Sequence, residues 1–194
     1  MIRVALRALV ATILLAVLTG LVYPLVITGI AQVGFGNKAD GSLVTVGGSV
    51  VGSSMIGQQW TGDQWFYGRP SAIEYDASTS SGTNLGPNSS DLEKNISDRA
   101  SAILKQEGPY TQGLTISNIP TDLLSASGSG LDPDISEAAA LFQAPRIAAV
   151  RNLPLAQVQA LVRSKVKSPD LGFLGQSRVN VLALNLALSQ LSKT

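Results

Sequence analysis

Between Arg7 and Lys38 the chain carries no charged residue for 30 positions, and nothing else in the sequence restricts the fold as strongly. Within that stretch, Leu9 to Ile30 supplies thirteen Leu, Ile or Val residues among 22. As a helix rising about 1.5 Å per residue, 22 residues reach about 33 Å, the depth of a hydrocarbon core of about 30 Å. Each central Leu, Ile or Val favours insertion by about 0.3 to 0.6 kcal/mol, so the gross drive is several kcal/mol. Thr12, Thr19, Gly20 and Pro24 weaken that drive without cancelling it, and Pro24 is expected to bend the helix. A cleavable leader is the competing reading, because Gly29-Ile30-Ala31 before Gln32 has small residues at suitable spacing. The apolar run, however, far exceeds the 7–15 residues of an ordinary leader core. The expected organisation is a short cytoplasmic N-terminus (1–7), a transmembrane helix (8–31), a linker (32–41) and one extracytoplasmic domain (42–194). Arg3 and Arg7 precede the span, while Lys38 follows it beside Asp40, so charge bias keeps the N-terminus in the cytoplasm.

Composition agrees with a membrane segment. Charged residues are 14% of the 194, against about 25% in an average soluble domain. Cys and His are both absent, which removes thiol nucleophiles, disulfides, common zinc sites and His-based acid–base chemistry. The small net charge conceals a division. Residues 39–145 hold twelve acids against four bases, whereas 146–194 hold seven bases against Asp170 alone. The plain reading is that the basic tail and the acidic middle face each other within one fold. Without a dense Lys/Arg run and interleaved aromatics, a nucleic-acid partner is not expected.

Beyond the span, local patterns predict a small α+β domain. Residues 42–53 read as a β-hairpin turning at Gly47-Gly48, and Gln59 to Tyr67 as an aromatic-rich strand or packed loop. Residues 76–90 are nearly all turn formers. Ser90 and Glu93 have capping-box spacing, opening a helix whose apolar face is Leu92, Ile96, Ala100, Ile103 and Leu104 and which ends near Gly108. Leu114 to Leu124 suits a short strand, and Asp132-Pro133 a helix cap before Ile135–Phe142. Pro145 and Pro154 are each expected to start a helix, and 179–191 to form a last one.

Chemical motifs are sparse. No phosphate loop of the GxxxxGK[ST] type and no Asp-Lys-Thr-Gly phosphorylation sequence occurs, so ATP hydrolysis by this chain alone is not expected. Ser164-x-x-Lys167 has the spacing of penicillin-recognising enzymes but lacks their supporting elements. It leaves a Ser/Lys or carboxylate hydrolase as one alternative, and a secreted binding protein released after Ala31 as another. The Ser127-Gly128-Ser129-Gly130 loop has the backbone to cradle an anion, although a structural turn explains it better, with Asp132 and Asp134 close by. Arg69 offers an anion contact or an ion pair to Glu74 or Asp76. Trp60, Trp65, Tyr67 and Tyr75 supply either core or an interface patch.

Six ordered segments carry a resemblance to a known family. They are 52–58 (Gly-Ser-Ser-Met-Ile-Gly-Gln), 66–72 (Phe-Tyr-Gly-Arg-Pro-Ser-Ala), 81–87 (Ser-Gly-Thr-Asn-Leu-Gly-Pro), 122–133, 144–148, and 172–175 through 178–185. The chain resembles the C subunit of the Kdp potassium-transporting P-type ATPase complex over nearly its full length. Family members often carry His after the Asp-Pro pair, where this chain has Asp134. The resemblance implies a non-catalytic subunit of an inner-membrane complex. Its partners would be a channel-like potassium-translocating subunit, a phosphorylated P-type ATPase subunit and a small membrane peptide. It also implies a catalytic chaperone that raises the ATP affinity of the pump subunit. If ATP is contacted directly, Gln143 and Ser127, Gly128, Ser129 and Gly130 are the candidates. An extracytoplasmic domain, remote from cytoplasmic ATP, favours an indirect effect. Arg69, Asn84, Trp60 and Trp65 are the candidate partner contacts.

Overall fold

The computed structural model describes residues 1–191, which divide into two units, Met1–Ser53 and the described residues from Ser54 onward. In the first unit, α1 (Ile2–Val17) and α2 (Tyr23–Ala39) are joined by a π turn over Leu18–Val22. The wider turn lies immediately before Pro24, whose ring and missing N–H disturb the preceding turn of a regular helix. A change of helical pitch thus falls where the bend is expected. Thr12 and Thr19 donate their hydroxyls to the carbonyls of Ala8 and Leu15 at 2.9 and 2.8 Å, so neither brings an unpaired polar group into the apolar stretch. Helical structure continues beyond residue 31 to Ala39, with one non-helical residue at Phe35. Then β1 (Leu43–Val46) pairs antiparallel with β2 (Ser49–Ser53) around Gly47 and Gly48. Both glycines have positive φ, as a two-residue hairpin turn demands.

The second unit is built around α5 (Glu137–Arg151), whose Ala139, Ala140, Ala144, Ile147 and Ala148 are buried. These small residues admit close neighbours. Packed with them are Ala100 from α3 (Ser90–Glu107), Val158 and Val162 from α6 (Leu155–Ser164), and Leu184 and Leu188 from α7 (Val181–Leu191). One turn of helix, α4 (Thr121–Leu124), adds Leu123. A three-stranded antiparallel sheet completes the core. Its order is β3 (Asp134–Ile135), β5 (Arg178–Asn180), β4 (Val166–Lys167), with Ile135 and Val166 both opposite Val179. The mixed helix-and-sheet character is as the sequence implies.

Several local expectations are corrected. The cap of α3 is Ser89, whose Oγ accepts the Leu92 N–H at 3.4 Å; Ser90 is already helical, so Glu93 lies one place beyond capping-box spacing. No strand occupies 114–124; a 3₁₀ turn (Ile116–Asn118) and α4 do. Asp132-Pro133 does not cap a helix, because Asp134 and Ile135 enter the sheet and Ser136 caps α5, accepting the Ala139 N–H at 3.0 Å. Pro145 lies inside α5, where burial of the surrounding alanines outweighs a cost of about 3 kcal/mol. Pro154 does precede a helix, α6. The last helix begins at Val181, because 178–180 is the central strand.

Candidate functional site

The aromatic segment that precedes Gly68 lies against the core as irregular chain rather than as a strand, and side chains supply its missing partners. Phe66 is fully buried; its N–H donates to Asn185 Oδ1 and its carbonyl accepts from Asn185 Nδ2, both at 2.9 Å. Tyr67 repeats the arrangement with Gln143: N–H to Oε1 at 2.8 Å, and Nε2 to carbonyl at 3.1 Å. Two buried amides, one on α5 and one on α7, thus replace a neighbouring strand. Burial of four unpaired backbone groups would otherwise be costly.

One turn along α5 from Gln143 is Arg146, which is also fully buried. Its Nε donates to Glu107 Oε1 at 2.8 Å, Nη2 to Gln143 Oε1 at 3.1 Å, and Nη1 to the carbonyls of Trp65 (3.0 Å) and Asp63. The guanidinium carbon lies 4.8 Å from the centre of the Tyr67 ring. Glu107, the last residue of α3, is only 3% exposed, and its Oε2 has no hydrogen-bond partner among the described residues. Desolvation pushes its carboxyl above the usual carboxylate range, against the opposing pull of Arg146. Above this network is a cleft of about 220 Å³, lined by Tyr67, Arg99, Ile103, Glu107, Phe142 and Gln143 among others. Glu107 and Gln143 are the members of the network that line it, and the Arg146–Glu107 pair ties α3 and α5 to residues 63–67.

A second hollow, of about 490 Å³, holds a different charge cluster. Arg69 meets Asp132 at 3.2 Å, not Glu74 or Asp76. Arg178 bridges Asp134 (3.3 Å) and Asp170 (3.5 Å), and Asp122 accepts the N–H and hydroxyl of Ser136 at 2.8 and 3.2 Å. Arg146–Glu107 and Arg178–Asp134 show the basic tail pairing with the acidic middle. Tyr75 donates its hydroxyl to the Arg69 carbonyl at 2.6 Å; burial, reinforced by Asp132, pushes its phenol up to about 12. Among the described residues, no three or more His, Cys, Asp or Glu side chains are grouped to hold a metal ion.

The candidate nucleotide residues are separated between two places. Gln143 lines the smaller cleft, but its amide is engaged by Tyr67 and Arg146. Ser127 to Gly130 lines neither hollow. That loop packs on the 70–82 segment: Ser127 N–H donates to Pro70 O (3.0 Å), Ser81 N–H to Ser129 O (3.0 Å), and Ser71 Oγ to Gly130 O (2.7 Å). Gly130 has φ +70°, and a β-carbon there would come within 2.7 Å of the Ser81 carbonyl oxygen. Trp60 and Trp65 pack on the core with ring centres 5.1 Å apart, and Arg151 covers Trp65 at 4.5 Å. Asn84 is exposed and left-handed, at φ +54°. Ser164 donates its hydroxyl to Leu161 O at 2.7 Å, and Lys167 belongs to β4, across a helix end from it. Sequence reasoning passed over Asn185, Arg146 and Glu107. Polar residues at intervals within otherwise apolar helices (Gln143, Arg146 and Asn185) were the available signal.

One helix, Ile2–Ala39, is long and apolar enough to cross a membrane, and it is followed in the chain by a small mixed α and β unit. That combination fits a membrane-anchored subunit. The family model described as KdpC, the c chain of K⁺-transporting ATPase, matches residues 5–190. A potassium-transporting ATPase KdpC subunit of Caulobacter vibrioides is 52% identical over 184 residues, covering 93% of this chain and 90% of that protein. Those of Variovorax paradoxus (50%, covering 93% of each chain) and Gemmatimonas aurantiaca (48%, covering 96% and 92%) are similarly close. The chain belongs to the KdpC family.

Proposed function

We propose that this chain is a non-catalytic accessory subunit of a high-affinity, ATP-driven potassium uptake complex. In this reading it stabilises the assembly and raises the ATP affinity of the ATP-hydrolysing subunit. The observation that carries it is the family match over residues 5–190, which includes the apolar helix as well as the domain behind it. Its partners are a channel-like potassium-translocating subunit, the phosphorylated P-type ATPase subunit and a small membrane peptide. The helix crosses the inner membrane once, with Arg3 and Arg7 on the cytoplasmic side and the main domain outside.

The effect on ATP is indirect. Two features support that route: the Gln143 amide is engaged by backbone and Arg146, and the Ser127–Gly130 loop is pinned by residues 70–81. Both groups would have to abandon internal partners to bind a nucleotide. Affinity purification of the tagged full chain from gently solubilised membranes tests the proposal. A channel-like protein and a P-type ATPase should accompany it, and potassium-stimulated ATP hydrolysis should fall when the chain is omitted. Isolation of the chain alone, with the pump unchanged by its omission, would refute it.

A further inference from the structure

Between β4 and β5 the chain makes an excursion over 168–177 that presents its apolar side chains outward. Leu171 is 82% exposed, Phe173 74%, and Leu174 half-exposed. Isolated exposed apolar residues are ordinary, but three within four positions on one loop are not.

The tip is also held by its own hydrogen bonds. Asp170 N–H donates to Leu174 O at 3.0 Å and Leu174 N–H returns to Asp170 O at 2.9 Å. Gly172 and Phe173 donate to the carbonyls of Pro169 and Asp170 at 3.0 and 3.3 Å, and Arg178 holds the Asp170 carboxylate. Leu171 and Gly172 are both left-handed, at φ +54° and +82°. Leucine in that region costs about 1 kcal/mol or more, whereas glycine or asparagine would turn the chain more cheaply. The strain maintains a large apolar side chain at the tip, where the fold itself draws no packing from it.

The approach to the tip is basic. Arg163, Lys165 and Lys167 are exposed and make no ion pair among the described residues, whereas Arg69, Arg146 and Arg178 are paired internally. An apolar tip preceded in the chain by three uncompensated cations complements an apolar socket bordered by carboxylates. A bilayer would accept these side chains in any conformation, so it gives no reason for the strained, internally bonded tip. A protein socket does, because a preformed knob avoids the ordering cost of docking.

We propose that Leu171, Phe173 and Leu174 form a docking knob that enters an apolar, acid-rimmed socket on another protein subunit of the same potassium-transporting ATPase. This rests on the reading of the chain as a subunit of that complex. The chain lacks cysteine, so Leu174→Cys introduces a unique thiol while keeping Leu171 and Phe173. Its maleimide labelling rate is compared in phosphatidylglycerol-containing vesicles for the full chain alone and for the chain co-assembled with its partner subunits. Ile116→Cys, also on an exposed side chain, is the reference.

The expected result is labelling about tenfold or more slower at position 174 in the assembled complex only. The triple variant L171S/F173S/L174S should be retained in the complex at least about tenfold less well, the loss expected of a central interface cluster. K165E/K167E should weaken retention in the same direction, and both variants should keep the melting temperature of the parent chain. Protection by vesicles alone would assign the tip to lipid and overturn the proposal, as would equal labelling in every state. If the parent chain brings down its partners and the triple variant does so equally, the docking knob fails while the subunit reading stands. If the parent chain brings down none, the subunit reading itself fails.

Discussion

Residues 63–67 and 168–177 are both irregular chain, yet their backbones are satisfied in opposite ways. The first takes its hydrogen bonds from side chains on distant helices, Gln143, Arg146 and Asn185, and buries Phe66. The second bonds to itself and leaves Leu171 and Phe173 in solvent. The difference separates what a segment does for the fold from what it offers outside. Residues 63–67 cannot move without unpairing buried groups in α5 and α7. The 168–177 tip depends on the fold for position, but the fold depends little on its side chains.

Substitutions should divide along that line. Arg146→Ala leaves Glu107 buried without its counter-ion and should cost about 3–5 kcal/mol, read by denaturant unfolding of the solubilised full chain. Equal stability of this variant would erase the contrast. Gln143→Ala unpairs the Tyr67 N–H and carbonyl and should cost about 2–6 kcal/mol, at about 1–3 per group. At the tip, Leu171→Gly should stabilise by about 1 kcal/mol through relief of the left-handed backbone. Phe173→Ser should change stability by less than about 0.5 kcal/mol.

Titration sharpens the same comparison. Glu107 has a raised carboxyl pKa, so the folded state holds its proton more tightly than the unfolded chain does. Its contribution is therefore fully present below the ordinary carboxylate value and declines as pH rises toward the folded one. Relative to Glu107→Gln, the parent chain should lose stability over that interval, read by denaturant unfolding at a series of pH values. In ultraviolet absorbance, one of the four tyrosines should titrate only near pH 12, and Tyr75→Phe should remove that step.

What the sequence disclosed follows from the length of each signal. A 30-residue uncharged stretch and the Leu92–Ile96–Ala100–Ile103 spacing are long enough to repeat, and both are helices. The three-strand sheet escaped because its strands have two or three residues, too few to show alternation. Pro145 misled because a helix-breaking residue is judged locally, whereas α5 is held by the alanines buried around it. At the site, Gln143 is singled out only as a candidate ATP contact, and its two bonds to Tyr67 join positions 76 residues apart. No sequence spacing encodes that contact. The Arg146–Glu107 pair spans 39 residues and was legible only as opposite charge in the two halves of the domain.

The proposed role requires this chain to tune nucleotide use from outside the nucleotide site. The direct measurement is ATP hydrolysis against ATP concentration for the reconstituted potassium pump, with and without the chain, followed by photolabelling of the full assembly with an azido-ATP. On that proposal the half-saturating ATP concentration is higher without the chain and falls back when the chain is restored, and label falls on the ATP-hydrolysing subunit alone. Label at Gln143 or within Ser127–Gly130, or an ATP dependence indifferent to the chain, would contradict it.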